Sequence, residues 1–168
     1  MTNPYITFDI PGDPVPFARA ASNGKQRFTP AKQRAYMESV KYAAIRATAG
    51  AKHLQGALAM TIMASWKYPK SWPARDRVPQ YRTGRPDIDN TAKIIADALN
   101  GIAYLDDAQI AVMHISKLWG AQSFARVRIE RLDYEAETDR RTGNGAGVCK
   151  EGSGFVHAAS LAFERGNA

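Results

Sequence analysis

Between Pro86 and Leu132 the chain passes from a helical apolar period to strands, and that change limits the folds open to it. In "NTAKIIADALN", from about Asn90 to Asn100, Ile94, Ile95, Ala98 and Leu99 form one apolar face of a helix, and Gly101 follows as a C-cap. "AQIAVMHISKLW" and "FARVRIERL" then read as two strands, with Gly120 to Ser123 as the turn between them. In the second strand Val127 and Ile129 alternate with Arg126, Arg128 and Glu130, so one face is expected to be wet or to touch a ligand.

The upstream half supplies matching elements. "YITFDI" (Tyr5 to Ile10) reads as a first strand ending at Pro11-Gly12, and Asp13 to Phe28 as an exposed loop. Thr29-Pro30 looks like an N-cap with proline at the first helical position. Tyr36, Val40, Ala43, Ala44 and Ala47 follow on one helical face, with a stop near Gly50. "ALAMTIMASW" (Ala57 to Trp66) is short and apolar enough for a buried strand, and Tyr68 to Pro86 reads as a loop without periodicity. The expected order is β-α-β-α-β-β: an α/β fold of the α+β type, a small mixed sheet with two main helices. The expected domain runs over residues 1–138. Residues 139–168 begin with "RRTGNGAGVCKEGSG" and are expected to form a flexible glycine-rich linker and tail, in which "FVHAASLAFERG" could form a short helix.

Composition narrows the function. At 168 residues and 45% hydrophobic, the chain suffices for one domain with a real core. No apolar run approaches the roughly 20 residues that span a bilayer, and the N-terminus lacks the pattern of a signal peptide. One cysteine, Cys149, excludes an internal disulfide framework and fits a reducing cytoplasm. His53, His114 and His157 are scattered, so any bound metal is expected on carboxylates. The net charge of +7 favours polyanionic partners. Two basic segments carry much of it, "RAASNGKQRFTPAKQR" and "KYPKSWPARDRVPQYRTGRP".

Against that charge, the chain gathers acids at Asp87/Asp89 and at Asp106/Asp107, with Lys93 between them. Like charges repel, so such a grouping needs either water around it or a cation inside it. In "PDID" the two carboxylates can lie on one side of an extended segment while Ile88 points into the core. Asp89 is then at the mouth of the helix, where capping and the dipole favour an acid. Lys93 lies at i+4 from Asp89, within reach of an ion pair. If the turn at Asp106/Asp107 folds back towards the helix start, the acids meet at one point and suit a hard divalent cation. An EF-hand reading fails, because Ala92 and Ala98 replace the glycine and glutamate that the calcium loop needs.

"DIDNTAKIIADALNGIAYLDDAQI" closely resembles the signature of RusA-type endodeoxyribonucleases, the Holliday junction resolvases often carried by prophages. The match falls on Asp87, Asp89, Asn90, Lys93, Asp97, Ala98, Leu99, Leu105, Asp106, Asp107, Ala108 and Gln109. "PGDPVPFARAAS" and "FTPAKQRAYMESV" also look like the N-terminal part of longer members, so the resemblance covers about residues 5 to 133. It implies a cytoplasmic homodimer that cuts four-way DNA junctions in recombination and repair, with Mg²⁺ (Mn²⁺ possible in its place) and no small-molecule cofactor. It implies Asp87, Asp89 and Asp107 as metal ligands, Lys93 as the catalytic lysine and Asp106 as a supporting carboxylate. Arg19, Lys25, Arg27, Arg82 and Arg85 are the candidates for phosphate contacts, which dominate affinity without reading sequence. Phe17, Phe28 or Tyr81 could wedge between bases at an open junction.

Two other classes compete with this reading. A non-catalytic DNA-binding module would use the acids only as caps and turn residues, and would bind DNA without cutting it. A glycosyltransferase with a D-x-D metal site would need a nucleotide-sugar pocket, and no glycine-rich phosphate loop supports one.

Overall fold

The computed structural model describes the backbone at residues 5–19, 21–22 and 27–132, and side chains at 5–19 and 29–132. Met1–Arg131 form one compact unit. The expected linker and tail at 139–168 lie outside the described residues.

Strand β1 (Tyr5–Pro11) is followed by a two-residue pairing of β2 (Ala21–Ser22) with β3 (Arg27–Phe28), and then by helix α1 (Ala31–Thr48). Strand β4 (Leu58–Lys67), the short β5 (Gln80–Tyr81), helix α2 (Ile88–Leu99), and strands β6 (Ile110–Gly120) and β7 (Phe124–Arg131) complete the order. Five strands make one mixed sheet in the order β1-β7-β4-β6-β5. Within it only β4 and β6 run parallel, a pairing that needs a crossover connection, which α2 supplies. The fold is therefore the expected mixed α+β type, with additions inside both presumed loops.

The register explains the core. Ile6, Phe8 and Ile10 face Ile129, Val127 and Ala125 across β1 and β7, which in turn face Met60, Ile62 and Ala64 on β4. These alternate residues line one side of the sheet and pack with Val40 and Ala44 of α1 and Ile94, Ile95, Ala98 and Leu99 of α2. The other side carries the intervening Thr7, Asp9, Arg126 and Arg128. There Asp9 takes two hydrogen bonds from Arg126, at 2.7 and 2.8 Å. Alternation in "FARVRIERL" therefore does separate a core face from a wet one.

Local differences have local causes. Pro30 is the N-cap of α1 and the helix begins one residue later, at Ala31. Ala47, expected on the apolar face, is exposed, while Gln33 is buried because its side-chain oxygen accepts the Ala18 N–H at 2.9 Å. The presumed loop from Tyr68 to Pro86 contains a 3-10 turn at Ala74–Asp76 and the strand β5. Its order comes from distant aromatic groups: Tyr68 stacks on Trp72, and Trp72 packs against Trp119 of β6. Such contacts leave no period in the sequence. Helix α2 ends at Leu99, and Gly101 adopts φ +73°, the left-handed conformation expected just past a helix C-terminus.

Candidate functional site

Helix α2 begins two residues earlier than expected, and that shift changes the standing of its acids. Asp87, rather than Asp89, occupies the N-cap position, and its carboxylate makes no capping hydrogen bond. The Asp87 carbonyl does the structural work instead, accepting from the Thr91 N–H at 3.2 Å and its hydroxyl at 3.1 Å. Asp89 lies within the first turn, exposed. Both carboxylates are thus free of hydrogen bonds and ion pairs among the described residues. Capping explains neither. Ile88, expected to enter the core, is 43% exposed, because the helix has already begun there and its apolar face is carried by later residues.

Lys93 projects from the same helix but does not pair with Asp89. Its ammonium nitrogen lies 3.4 Å from Asp97, one turn further on, and 5.2 Å from the centre of the Phe17 ring. Phe17 reaches that place through the backbone: its N–H donates to the Asn90 carbonyl at 2.8 Å. Upstream, the Trp66 indole holds the Pro14 carbonyl at 3.2 Å. The segment from Pro14 to Ala18 is therefore docked beside the start of α2, and exposed Arg19 leaves directly from it. Sequence alone allows Asp89 and Asp97 as i±4 partners of Lys93 and favours Asp89, the acid N-terminal to it; the surroundings decide for Asp97.

The second acidic pair has divided duties. Asp106 caps a 3-10 turn (Asp107–Gln109), its carboxylate accepting the Ala108 N–H at 2.8 Å. Gln109 completes the box by accepting from the backbone of Leu105 and Asp106, and its side-chain amide donates to the Leu54 and Gly56 carbonyls, both at 3.2 Å. Asp106 is thus a turn builder, and Asp107 is the free carboxylate of the two among the described residues. The turn packs against α2 but does not bring three acids together among the described residues. Tyr104, buried, donates to the Ala96 carbonyl at 3.0 Å. Burial first, and then the charges of Asp107 and Asp97, push its hydroxyl pKa well above the ordinary range. Replacing Asp106 by Ala should lower folding stability by about 1 kcal/mol, while Asn, which also caps, should change it by no more than about 0.5. Urea unfolding of the two variants measures this; equal losses would remove the capping role.

As donors, Asp87, Asp89 and Asp107 suit a hard divalent cation, which prefers oxygen ligands. As an arrangement they fall short. Among the described residues no three Asp, Glu, His or Cys side chains lie together closely enough to hold a metal ion.

The candidate phosphate contacts separate in the same way. Arg19 and Arg85 are exposed. Lys25 lies outside the described residues, and so does the side chain of Arg27. Arg82 is half-buried against the sheet: its guanidinium lies over the rings of Trp66, at 4.6 Å, and Trp119, at 4.2 Å, and donates to the Arg85 carbonyl. Burial lowers its pKa, and the Asp13 carboxylate opposes that shift. Tyr81, by contrast, is 76% exposed on β5.

Sequence reasoning did not single out Phe17 as a neighbour of Lys93, Asp97 as its partner, or Gln109 as the brace of the acidic turn. Only Asp97 left a usable signal, its i+4 spacing from Lys93.

A family model described as endodeoxyribonuclease RusA matches residues 11–130, a span that includes all of these elements from the Pro14 segment to the acidic turn. The chain is also similar to the uncharacterized protein YqaN of Bacillus subtilis (strain 168), at 27% identity over 143 residues, 76% of this chain and 96% of that protein.

Proposed function

The chain belongs to the RusA endodeoxyribonuclease family, and from that premise we propose that it resolves four-way DNA junctions by paired phosphodiester hydrolysis, in recombination and repair. The observation that carries the reading is the start of α2. Two exposed carboxylates there neither cap the helix nor pair with any described residue, beside a lysine and a docked segment that ends in an arginine.

Nucleases of this family depend on a divalent metal; Mg²⁺ is the proposed ion here, with Mn²⁺ able to replace it. Asp87, Asp89 and Asp107 are its proposed ligands. Asp106 serves them through the turn that carries Asp107. Lys93 is proposed to stabilise the negative charge that develops on phosphorus oxygens during in-line attack, where a fixed cation is worth most. Asp97 and Phe17 lie beside its ammonium group. Arg19 and Arg85 are the proposed phosphate contacts, with Lys25 and Arg27 of the first basic segment. Arg82 acts by shaping the second one.

A four-way junction offers two symmetric strands, so an isologous homodimer would place two sites for paired nicks. No helix among the described residues is long and apolar enough to cross a membrane, and the proposed location is the cytoplasm of a bacterial or phage-infected cell.

One observation favours a second reading. Because no three acids are gathered among the described residues, the chain could bind junctions without cutting them. Labelled four-way junction and linear duplex, each with Mg²⁺ or EDTA, separate the two. Paired, Mg²⁺-dependent nicks in the junction alone are expected. Junction binding without cleavage in either Mg²⁺ or Mn²⁺ would leave a DNA-binding protein.

A further inference from the structure

We propose that Lys117 is a positioning residue for this site: its ammonium group, with the Arg82 guanidinium, grips the backbone that delivers Asp87 to the start of α2. The proposal rests on the reading of the Asp87 site given above.

The link from β5 to α2 is short and irregular, and it has no ladder of its own. Strand β5 ends at Tyr81, opposite Leu118 of β6, and the Arg82 N–H still donates to the Lys117 carbonyl at 2.8 Å. Beyond that point the chain leaves the sheet. Regular pairing can no longer fix the direction in which Asp87 is presented.

Side-chain cations from the sheet take over. Lys117 donates to the Gly84 carbonyl at 2.9 Å and to the Pro86 carbonyl at 2.6 Å. Arg82 donates from Nε to the Arg85 carbonyl between them, at 3.0 Å. Three successive carbonyls, 84, 85 and 86, are thus each held by a charged donor, and such bonds are stronger than neutral ones. The last of them belongs to the peptide group joined to Asp87.

Both cations are themselves fixed. Arg82 lies over the rings of Trp66 and Trp119, and Lys117 is held in the eleven-residue β6, across from Ala64 of β4. Among the described residues Lys117 has no carboxylate partner. An ammonium group carries three donors and no acceptor, and here two of the three are used on backbone oxygens. A misplacement of about 1 Å near reacting groups can lower turnover by about 10²-fold, so this grip matters to chemistry as well as to shape.

The test compares the full-length protein with Lys117→Met, which keeps length and loses every donor, and Lys117→Arg, which keeps donors. Amide hydrogen exchange is followed at Thr91 and Phe17, whose N–H groups donate to the Asp87 and Asn90 carbonyls, alongside junction cleavage and junction affinity. In Lys117→Met, exchange at Thr91 and Phe17 should rise by about tenfold or more while β1, β4 and β7 stay protected. Its kcat should fall by about 10- to 100-fold with KM for the junction nearly unchanged, and Lys117→Arg should recover most of both. If Lys117→Met does not fold, Lys117→Gln, too short to reach both carbonyls, gives the same comparison.

Unchanged exchange at Thr91 and Phe17 would overturn the proposal. So would a weakened junction affinity with normal exchange, which would make Lys117 a phosphate contact. If the wild type cuts no junction, the nuclease reading fails on that result alone, and the exchange data still decide whether Lys117 holds the segment.

Discussion

Asp89→Asn is expected to abolish junction cleavage while leaving junction binding intact or tighter. The substitution keeps the shape of the side chain and removes one negative charge from an exposed position in the first turn of α2. That charge sustains no fold contact among the described residues, so thermal stability should move by no more than about 0.5 kcal/mol, as for other surface changes. Its loss removes one proposed oxygen ligand. A catalytic cation contributes several kcal/mol to transition-state stabilisation, and each 1.4 kcal/mol is about a factor of ten in rate. The expected drop is therefore at least about 10³-fold. Affinity should hold or rise, because a carboxylate beside a phosphate repels it. Gel-shift titration in EDTA and single-turnover cleavage in Mg²⁺ measure the two effects separately. A variant that still cuts within tenfold of wild type would exclude Asp89 from the site.

Lys93→Met should lower turnover by about 10²-fold, the order seen when one preorganised donor is removed from a developing charge. The structure supplies a control for this experiment. Lys93 pairs with Asp97 across a side-chain pair that is 53% and 27% exposed, and exposed pairs of that kind contribute at most about 1 kcal/mol. If the pair is only a surface salt bridge, Lys93→Met and Asp97→Asn must behave alike, with small equal losses of stability and little loss of rate. If Lys93 acts on the phosphate, the two diverge: Asp97→Asn keeps the ammonium group and most of the rate, and Lys93→Met loses the rate with junction affinity changed by less than about threefold. Turnover of Lys93→Met within threefold of wild type would assign the lysine to the helix surface.

How much of this could be read from residues alone depended on the range of the forces involved. Periodicity located β1, α1, β4, α2, β6 and β7 to within two residues, because burial on one face imposes a repeat that survives in sequence. The pair β2–β3 and strand β5 were missed for the converse reason: two residues cannot show a period, and β5 exists only because β6 offers an edge to pair with. Ile88 was misplaced by the same difference in range. Its apolar character suggested the core, but the helix start, advanced to residue 88, turned it outward.

Charge was legible in kind and ambiguous in partner. The acids stood out because a basic chain has reason to keep carboxylates apart. Which of them is free could not be read. Asp106 and Asp107 are neighbours of identical chemistry; one is consumed by the cap of its own turn and the other is left over, and only the backbone geometry of Asp107–Gln109 separates them. Arg82 and Arg85 differ likewise. Both lie in one basic segment, yet two indoles contributed by β4 and β6 capture the first and leave the second exposed.

The chain by itself thus determined the order of helices and strands, the positions of the acids and lysine, and the family signature, since each is written in the local order of residues. Tertiary structure alone decided which charges are free to act. An ion pair, a stacked guanidinium or a gripped carbonyl depends on groups brought together from distant strands, and their distances follow from the sheet register, which no local pattern encodes.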